Sequence, residues 1–218
     1  ASENLPAGTG LVPAEREYVT ISGHPDKDVE RRINTALRAD DAMNWYRRTS
    51  SGWSGTARSH SEAAVRLQTG RFLSVAYTFG ITPQQGAIGT WLNSTPEYAT
   101  VTVDLVTGRT LGIADIFRPA ALTQSGLARL AERIKSHDDR ECLTPLAPLP
   151  GDAYKPFGIK LSDLQRTGST IQVALGAREV WFGVKAGRHD MSSPSNACSA
   201  TSASVPVDEL ADLMQPGL

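Results

Sequence analysis

The sequence predicts an α+β fold, a mostly antiparallel sheet packed against two main helices with a short C-terminal helix. Two observations predict it. Stretches that alternate apolar and polar residues outnumber those with helical periodicity, and they arrive in hairpin-like pairs separated by short turns. A doubly wound α/β sheet would instead alternate strand with helix along the chain.

The elements follow in order. "REYVTISG" (16–23) reads as a strand, with Tyr18, Thr20 and Ser22 alternating against Val19 and Ile21. His24 and Pro25 break it, and Asp26 is placed to cap a helix by accepting from free backbone N–H groups. In that helix Val29, Ile33, Ala36 and Leu37 share one face, while Asp28 and Glu30 sit in the first turn, where the dipole favours acids. "NWYRRTSSGWSGTARSH" is loop-like. "AAVRLQTG" and "RFLSVAYTFGI" read as a strand pair turning at Gly70 and Arg71. "TPQQGAIGT" is a loop, because Pro83, Gly86 and Gly89 interrupt regular structure. "EYATVTVD" is the most strand-like stretch, turning at Thr107 and Gly108. A second helix in "LTQSGLARLAERIKSH" aligns Leu127, Leu130, Ala131 and Ile134. "STIQVALG", "REVWFGVKAG" and "TSASVPV" are three later strands, and "VDELADLMQ" is the short terminal helix.

The 218 residues suit one domain or two small lobes. The reading adopted is a flexible tail over 1–14 and a single domain over 15–218. Lys plus Arg number 22 against 23 Asp plus Glu, a net charge of −1. That balance argues against nucleic acid as a partner, since neutralising phosphates calls for a basic surface. Arg supplies 17 of the basic residues, which with the Ala, Gly and Pro load reads as the codon bias of a GC-rich genome. No run of about 18 apolar residues occurs, so no segment reads as membrane-spanning.

The start, "ASENLPAGTGLVPA", is small, polar and without Met, and reads as a mature terminus or linker left when a signal peptide or anchor is removed. The expected location is therefore secreted or the extracytoplasmic cell envelope. Cys142 and Cys198 have no C-x-x-C spacing, which leaves two inert thiols or one disulfide. In an exported protein two cysteines usually pair. A bridge closing about 57 residues would stabilise by roughly 4 kcal/mol, less any strain.

Catalytic signatures are missing. "GWSGT" lacks the spacing of a nucleophile elbow, and no H-E-x-x-H, Walker loop or G-x-G-x-x-G occurs. His24, Asp26 and Asp28 could converge on a metal, but a strand-to-helix turn with capping acids explains them more simply. Arg188, His189 and Asp190 could form a charged site, though a solvated loop is the simpler account. No catalytic residue, metal ligand or cofactor is therefore assigned. Trp45, Trp53 and Trp91 fall in or beside loop-like segments, where Trp offers large contact area at low rotamer cost. Each could equally cover the rim of the sheet. Trp181, alternating with Val180 and Phe182, reads as core.

The order of the motifs adds a resemblance. "YVTISGHPDKDVERRINTAL", with Arg32, Ile33 and Asn34 in its helix, is similar to the opening of a bacterial extracytoplasmic family. "FLSVAYTF" and then "VTVDLVTGRTLGIADIF" resemble its central signature, carried by Asp104, Leu105, Thr107, Gly108, Leu111, Asp115 and Phe117. "VWFGV" and "VPVDEL" resemble its closing strands and last helix. The family is the domain of unknown function found in the ectodomain of the lysozyme-sensing anti-sigma factor, in secreted mycobacterial immunogenic proteins and beside some peptidoglycan deacetylase domains. The likeness spans about residues 16–215.

It implies a mixed α+β domain outside the cytoplasmic membrane that has no catalytic centre and binds a protein or cell-wall ligand. Two departures matter. The family's Gly-Ala-His-Pro-like motif is replaced by "GAIGTWLNSTPEY", and an apolar stretch near the end by "AGRHDMSSPSNACSATS". Lysozyme binding is not carried across. The expected function is thus a non-catalytic envelope binding or sensing domain with Trp45, Trp53 and Trp91 as anchors. An envelope hydrolase using His189 and Asp190, or a passive structural domain, are the alternatives.

Overall fold

A computed structural model describes residues 2–3, 11–38, 57–83, 97–138, 142–143, 157–164, 170–185 and 200–218. The chain divides into two compact units, Ala1–Thr110 and Leu111–Leu218. Each carries its own sheet, so the predicted antiparallel α+β class holds with the strands shared between two sheets.

In the first unit the sheet contains β1 (Ser2–Glu3), β2 (Leu11–Arg16), β3 (Ala57–Gln68), β4 (Phe72–Pro83) and β5 (Glu97–Asp104), side by side in that order. β2 pairs with β3 in parallel; the other neighbours are antiparallel. The stretch 1–14, read above as a tail, contributes β1 and the start of β2. The β3–β4 hairpin runs from Ala57 opposite Pro83 to Gln68 opposite Leu73, with a bulge between Val65 and Leu67. Its turn is closed by Thr69, whose hydroxyl accepts from the N–H groups of Arg71 and Phe72.

The helix α1 (Lys27–Leu37) forms where the periodicity placed it. Asp26 caps it, its carboxylate accepting from Asp28 N–H at 2.8 Å and Val29 N–H at 3.1 Å. Val29, Ile33 and Leu37 are buried against Leu73, Val75, Tyr77 and Phe79 of β4 and Ala99, Val101 and Val103 of β5. Burying three such side chains contributes about 2 kcal/mol each. The Tyr77 hydroxyl donates to the Leu37 carbonyl, one of the acceptors a helix end leaves open.

One predicted element is corrected. Beyond Arg16, the stretch expected as a strand over 16–23 belongs to no sheet. Glu17 N–H is shared between the Ser61 hydroxyl at 3.1 Å and the Ser61 carbonyl at 3.3 Å, and the Asn34 amide clips Ile21 by both its N–H and its C=O. Tyr18, Val19 and Ile21 still pack against the core.

The second unit holds α2 (Ile113–Ile116), a 3-10 turn at Pro119–Leu122, α3 (Gln124–Ser136), a second 3-10 turn at Leu161–Asp163, and α4 (Val207–Leu210). Its antiparallel sheet is β6 (Ile171–Leu175), β7 (Glu179–Lys185) and β8 (Ala200–Pro206), with α3 and α4 both contacting β8. Thr123 caps α3 through its hydroxyl, and Leu127, Leu130, Ala131 and Ile134 are buried as the spacing predicts. Gly126 is obligatory for a different reason: a Cβ there would lie 2.3 Å from the Ala120 carbonyl oxygen. Trp181 is buried, as expected of a core strand residue.

Candidate functional site

Some of the residues that carried the resemblance, Arg32 with Asp104, Leu105, Thr107 and Gly108, lie at one end of the first unit, where β5 ends and α1 begins. Asp104 is buried at the end of β5, and its Oδ1 accepts from Val106 N–H at 2.9 Å and Thr107 N–H at 3.0 Å. Arg71 approaches its Oδ2 at 3.4 Å. Burial pushes the Asp104 carboxyl up, but the N–H groups of Thr107 and Val106 and the Arg71 guanidinium outweigh it and hold the group below the usual carboxylate range. Gly108 closes the turn at φ +71°, and a Cβ there would lie 3.2 Å from the Val29 carbonyl oxygen. Only glycine satisfies both the left-handed backbone and the close approach of the helix. Arg32 reaches across from α1 to donate to the Thr107 carbonyl at 3.1 Å.

His24 joins the same knot. Its Nδ1 accepts from Asp26 N–H at 3.1 Å, and its Nε2 lies 3.0 Å from the Leu105 carbonyl oxygen. Nδ1 also lies 2.9 Å from the Asp26 carbonyl oxygen, so the ring ties the start of α1 to the turn after β5. Glu30 accepts from His24 N–H at 2.8 Å and pairs with Lys27. The Lys27 hydrogen bond, then the His24 N–H, lowers the Glu30 carboxyl. Hydrogen bonds from Val29 and Asp28 N–H lower Asp26 likewise.

Asp28 points elsewhere and pairs with Arg31 at 2.6 Å. The three residues weighed above as metal ligands therefore do not converge; Asp26 caps, Asp28 forms a surface pair and His24 braces the β5 turn. Among the described residues no group of three or more His, Cys, Asp or Glu is placed to hold a metal.

The opposite end of the sheet is built differently. Ala57 at the start of β3 lies directly across from Pro83 at the end of β4, and Glu97 at the start of β5 pairs with Phe79. α1 runs toward this same end, since its first turns sit by Gly108 and its last by Tyr77. Residues 39–56 join α1 to β3 and residues 84–96 join β4 to β5, so both segments are rooted here. Trp45 and Trp53 belong to the first and Trp91 to the second; all three lie outside the described residues. So do His189, Asp190 and Cys198.

The second unit contains a brace that sequence reasoning missed. Asp138, just past α3, is buried, and its two oxygens accept from Leu143 N–H at 2.6 Å and the Thr201 hydroxyl at 2.7 Å. An acid at a helix end normally reads as solvated, and nothing in the local sequence marks Asp138 as buried. Cys142 itself is half-buried. At the C-terminal side Asp212 takes Arg129 at 3.0 Å and Arg133 at 2.6 Å, and His137 lies 2.9 Å from Glu209.

No protein-family model matches the chain, and no curated protein matches it by sequence. Solved structures do. A DUF3298-family protein from Pseudomonas aeruginosa aligns over 87% of this chain and 81% of its own at a TM-score of 0.50 and 14% identity. A DUF3298-family member from Bacteroides fragilis aligns over 87% of this chain and 66% of its own, at a TM-score of 0.43 and 15% identity. The first likeness is one of fold, to a domain family of unknown function.

Proposed function

We propose that this chain is a non-catalytic binding or sensing domain of the extracytoplasmic envelope that recognises a protein or a cell-wall ligand through Trp45, Trp53 and Trp91. One observation carries the reading: the two segments that hold the three tryptophans are rooted at the same end of one sheet. A rigid sheet presenting several segments from one end is a common way to build a recognition surface. The division of labour in the first unit supports it. His24, Asp26 and Asp104 all hold backbone groups in place at the far end. The motif resemblance to the anti-sigma factor ectodomain and the secreted mycobacterial proteins supports an exported location, and with it a bridge between Cys142 and Cys198. No helix among the described residues is long and apolar enough to cross a membrane.

The test is binding of the purified chain to peptidoglycan sacculi and to an extracytoplasmic protein fraction, with each tryptophan changed in turn to Ala. The expected result is loss of capture with the melting transition retained. A variant that loses its melting transition instead marks that tryptophan as core and removes it from the site. Mass measurement without reductant tests the bridge: two free thiols would remove it and weaken the case for export.

A further inference from the structure

We propose that the end of the first unit formed by the turn after β5 and the start of α1 docks on an anionic phospholipid bilayer, with Val106 entering the interface. Of the large apolar side chains among the described residues, Val106 is the most exposed, at 64%. It lies in the turn that Asp104 closes, whose carboxylate holds the N–H of Val106 and that of Thr107. The turn is thus fixed before any partner arrives, and docking the valine requires no further ordering of the backbone.

Bases and acids at this end are sorted by direction. The side chains of Lys27, Arg31 and Arg71 are 71%, 72% and 66% exposed, and Arg32 and Arg109 are exposed as well. Those of Glu30 and Asp104 are only 19% and 9% exposed, because their oxygens turn inward onto the N–H groups of His24, Val106 and Thr107. Asp26 is exposed but caps α1, and Asp28 is paired with Arg31. Outward cations therefore outnumber outward carboxylates here, in a chain whose net charge is −1. They also adjoin the valine. Arg32 donates to the Thr107 carbonyl, Arg71 reaches Asp104 Oδ2, and the Arg109 N–H donates to the Thr107 hydroxyl. Lys27 and Arg31 lie on the first turns of α1 beside Arg32. A hydrated anionic polymer would use the cations and leave Val106 in water. A bilayer uses both, since headgroup phosphates take the guanidinium groups and the acyl boundary takes the valine. Docked this way, the sheet turns the end where residues 39–56 and 84–96 are rooted away from the lipid.

The full chain is sedimented with large unilamellar vesicles of equal parts phosphatidylcholine and phosphatidylglycerol, and with vesicles of phosphatidylcholine alone, at low salt and millimolar lipid. The parent should partition onto the anionic vesicles, stay in solution with the neutral ones, and be released at about 1 M salt, where the Debye length is about 3 Å. Val106→Ser should lower the partition coefficient about fivefold, and Val106→Phe should raise it about threefold. Arg31→Gln combined with Arg109→Gln should lower it about twentyfold, each cation near an anionic surface being worth about fivefold. All comparisons use proteins whose melting transition matches the parent, which the exposure of the three side chains favours.

A parent chain that stays in solution with the anionic vesicles overturns the proposal. So does binding that the paired arginine change leaves untouched, which places the contact elsewhere on the molecule. If the arginines matter but Val106→Ser and Val106→Phe both bind as the parent does, the surface recognises charge alone, as an anionic polymer would supply it, and the bilayer is overturned as the partner. Capture through the tryptophans is a separate measurement and survives each of these failures.

Discussion

Removing the Asp104 carboxylate tests whether the most recognisable motif of this chain is an architectural turn. In Asp104→Ala the N–H groups of Val106 and Thr107 lose their acceptor at the buried end of β5. Each hydrogen bond to a charged acceptor is worth about 1.5 kcal/mol or more, and replacing Asp by Ala strands both donors together. Against that, the buried charge no longer has to be desolvated, which returns part of the loss. The net expectation is about 2–4 kcal/mol, or a fall of about 10–20 °C in the transition of the first unit. Asp104→Asn keeps an oxygen for both N–H groups and sets its amide against Arg71, whose side chain is 66% exposed. It should therefore cost about 1 kcal/mol, less than Ala.

The assay is urea unfolding followed by circular dichroism, with amide exchange at Thr107 as the local readout. The pH dependence gives a second check. The folded carboxyl is lowered, so its contribution is fully present above the unfolded pKa and is lost as pH falls through the folded value. Asp104→Ala should thus match the parent more closely in acid than at neutral pH. Equal costs for Ala and Asn, or less than about 1 kcal/mol for Ala, would refute the reasoning.

Three further outcomes follow from the packing. Gly126→Ala gains about 1 kcal/mol of helix propensity but forces a Cβ to 2.3 Å from the Ala120 carbonyl oxygen, so thermal melts should show net destabilisation of about 1–3 kcal/mol. Asn34→Ala frees both Ile21 backbone groups and should cost about 2 kcal/mol in urea unfolding, with faster exchange at the Ile21 amide. Asp212 is lowered by its hydrogen bond from Arg133, so its ion pairs stabilise above the ordinary carboxylate pKa and fade as pH falls through the lowered folded value. With the side chain 47% exposed, Asp212→Asn should cost under about 1 kcal/mol at pH 7, and less still in high salt.

Some of this architecture was legible because it is local. The 3.6-residue spacing and Asp26 placed α1, and alternation placed β4 and β5, since both patterns report which way side chains face; for β3 the pattern begins only at residue 63, and its start at 57–60 reads as loop. Alternation does not report a strand's neighbour. The stretch 17–23 has the pattern of a strand, yet the Asn34 amide satisfies Ile21 where a strand would otherwise do so. β2 escaped notice because "LVPAER" contains Pro13, which cannot donate to a ladder, and such a residue is tolerated only at some strand positions. The same limit hid the division of the strands into two sheets.

The candidate site was readable only as aromatic residues in loop-like sequence. What the fold adds is where those segments are rooted, information held in the register of Ala57 against Pro83, residues far apart in the chain. His24 illustrates the converse: its residue type suggested ligation, and only the Leu105 carbonyl, 81 positions away, reveals a brace.

The parallel β2–β3 pair bears on how the first unit assembles. β3 and β4 close over a few residues at Gln68 and Leu73, whereas β2 must wait for α1 and the whole segment to residue 57 before Leu11 meets Ala57. Loop-closure entropy makes the hairpin the early event and the docking of β2 a late one. Until β2 docks, residues 57–61 of β3 offer a row of open backbone groups, the kind of edge through which nascent chains adhere to one another. The strand that arrives last is thus the one that shields the growing sheet from intermolecular pairing, and slowing its arrival should raise aggregation during refolding before it measurably lowers stability.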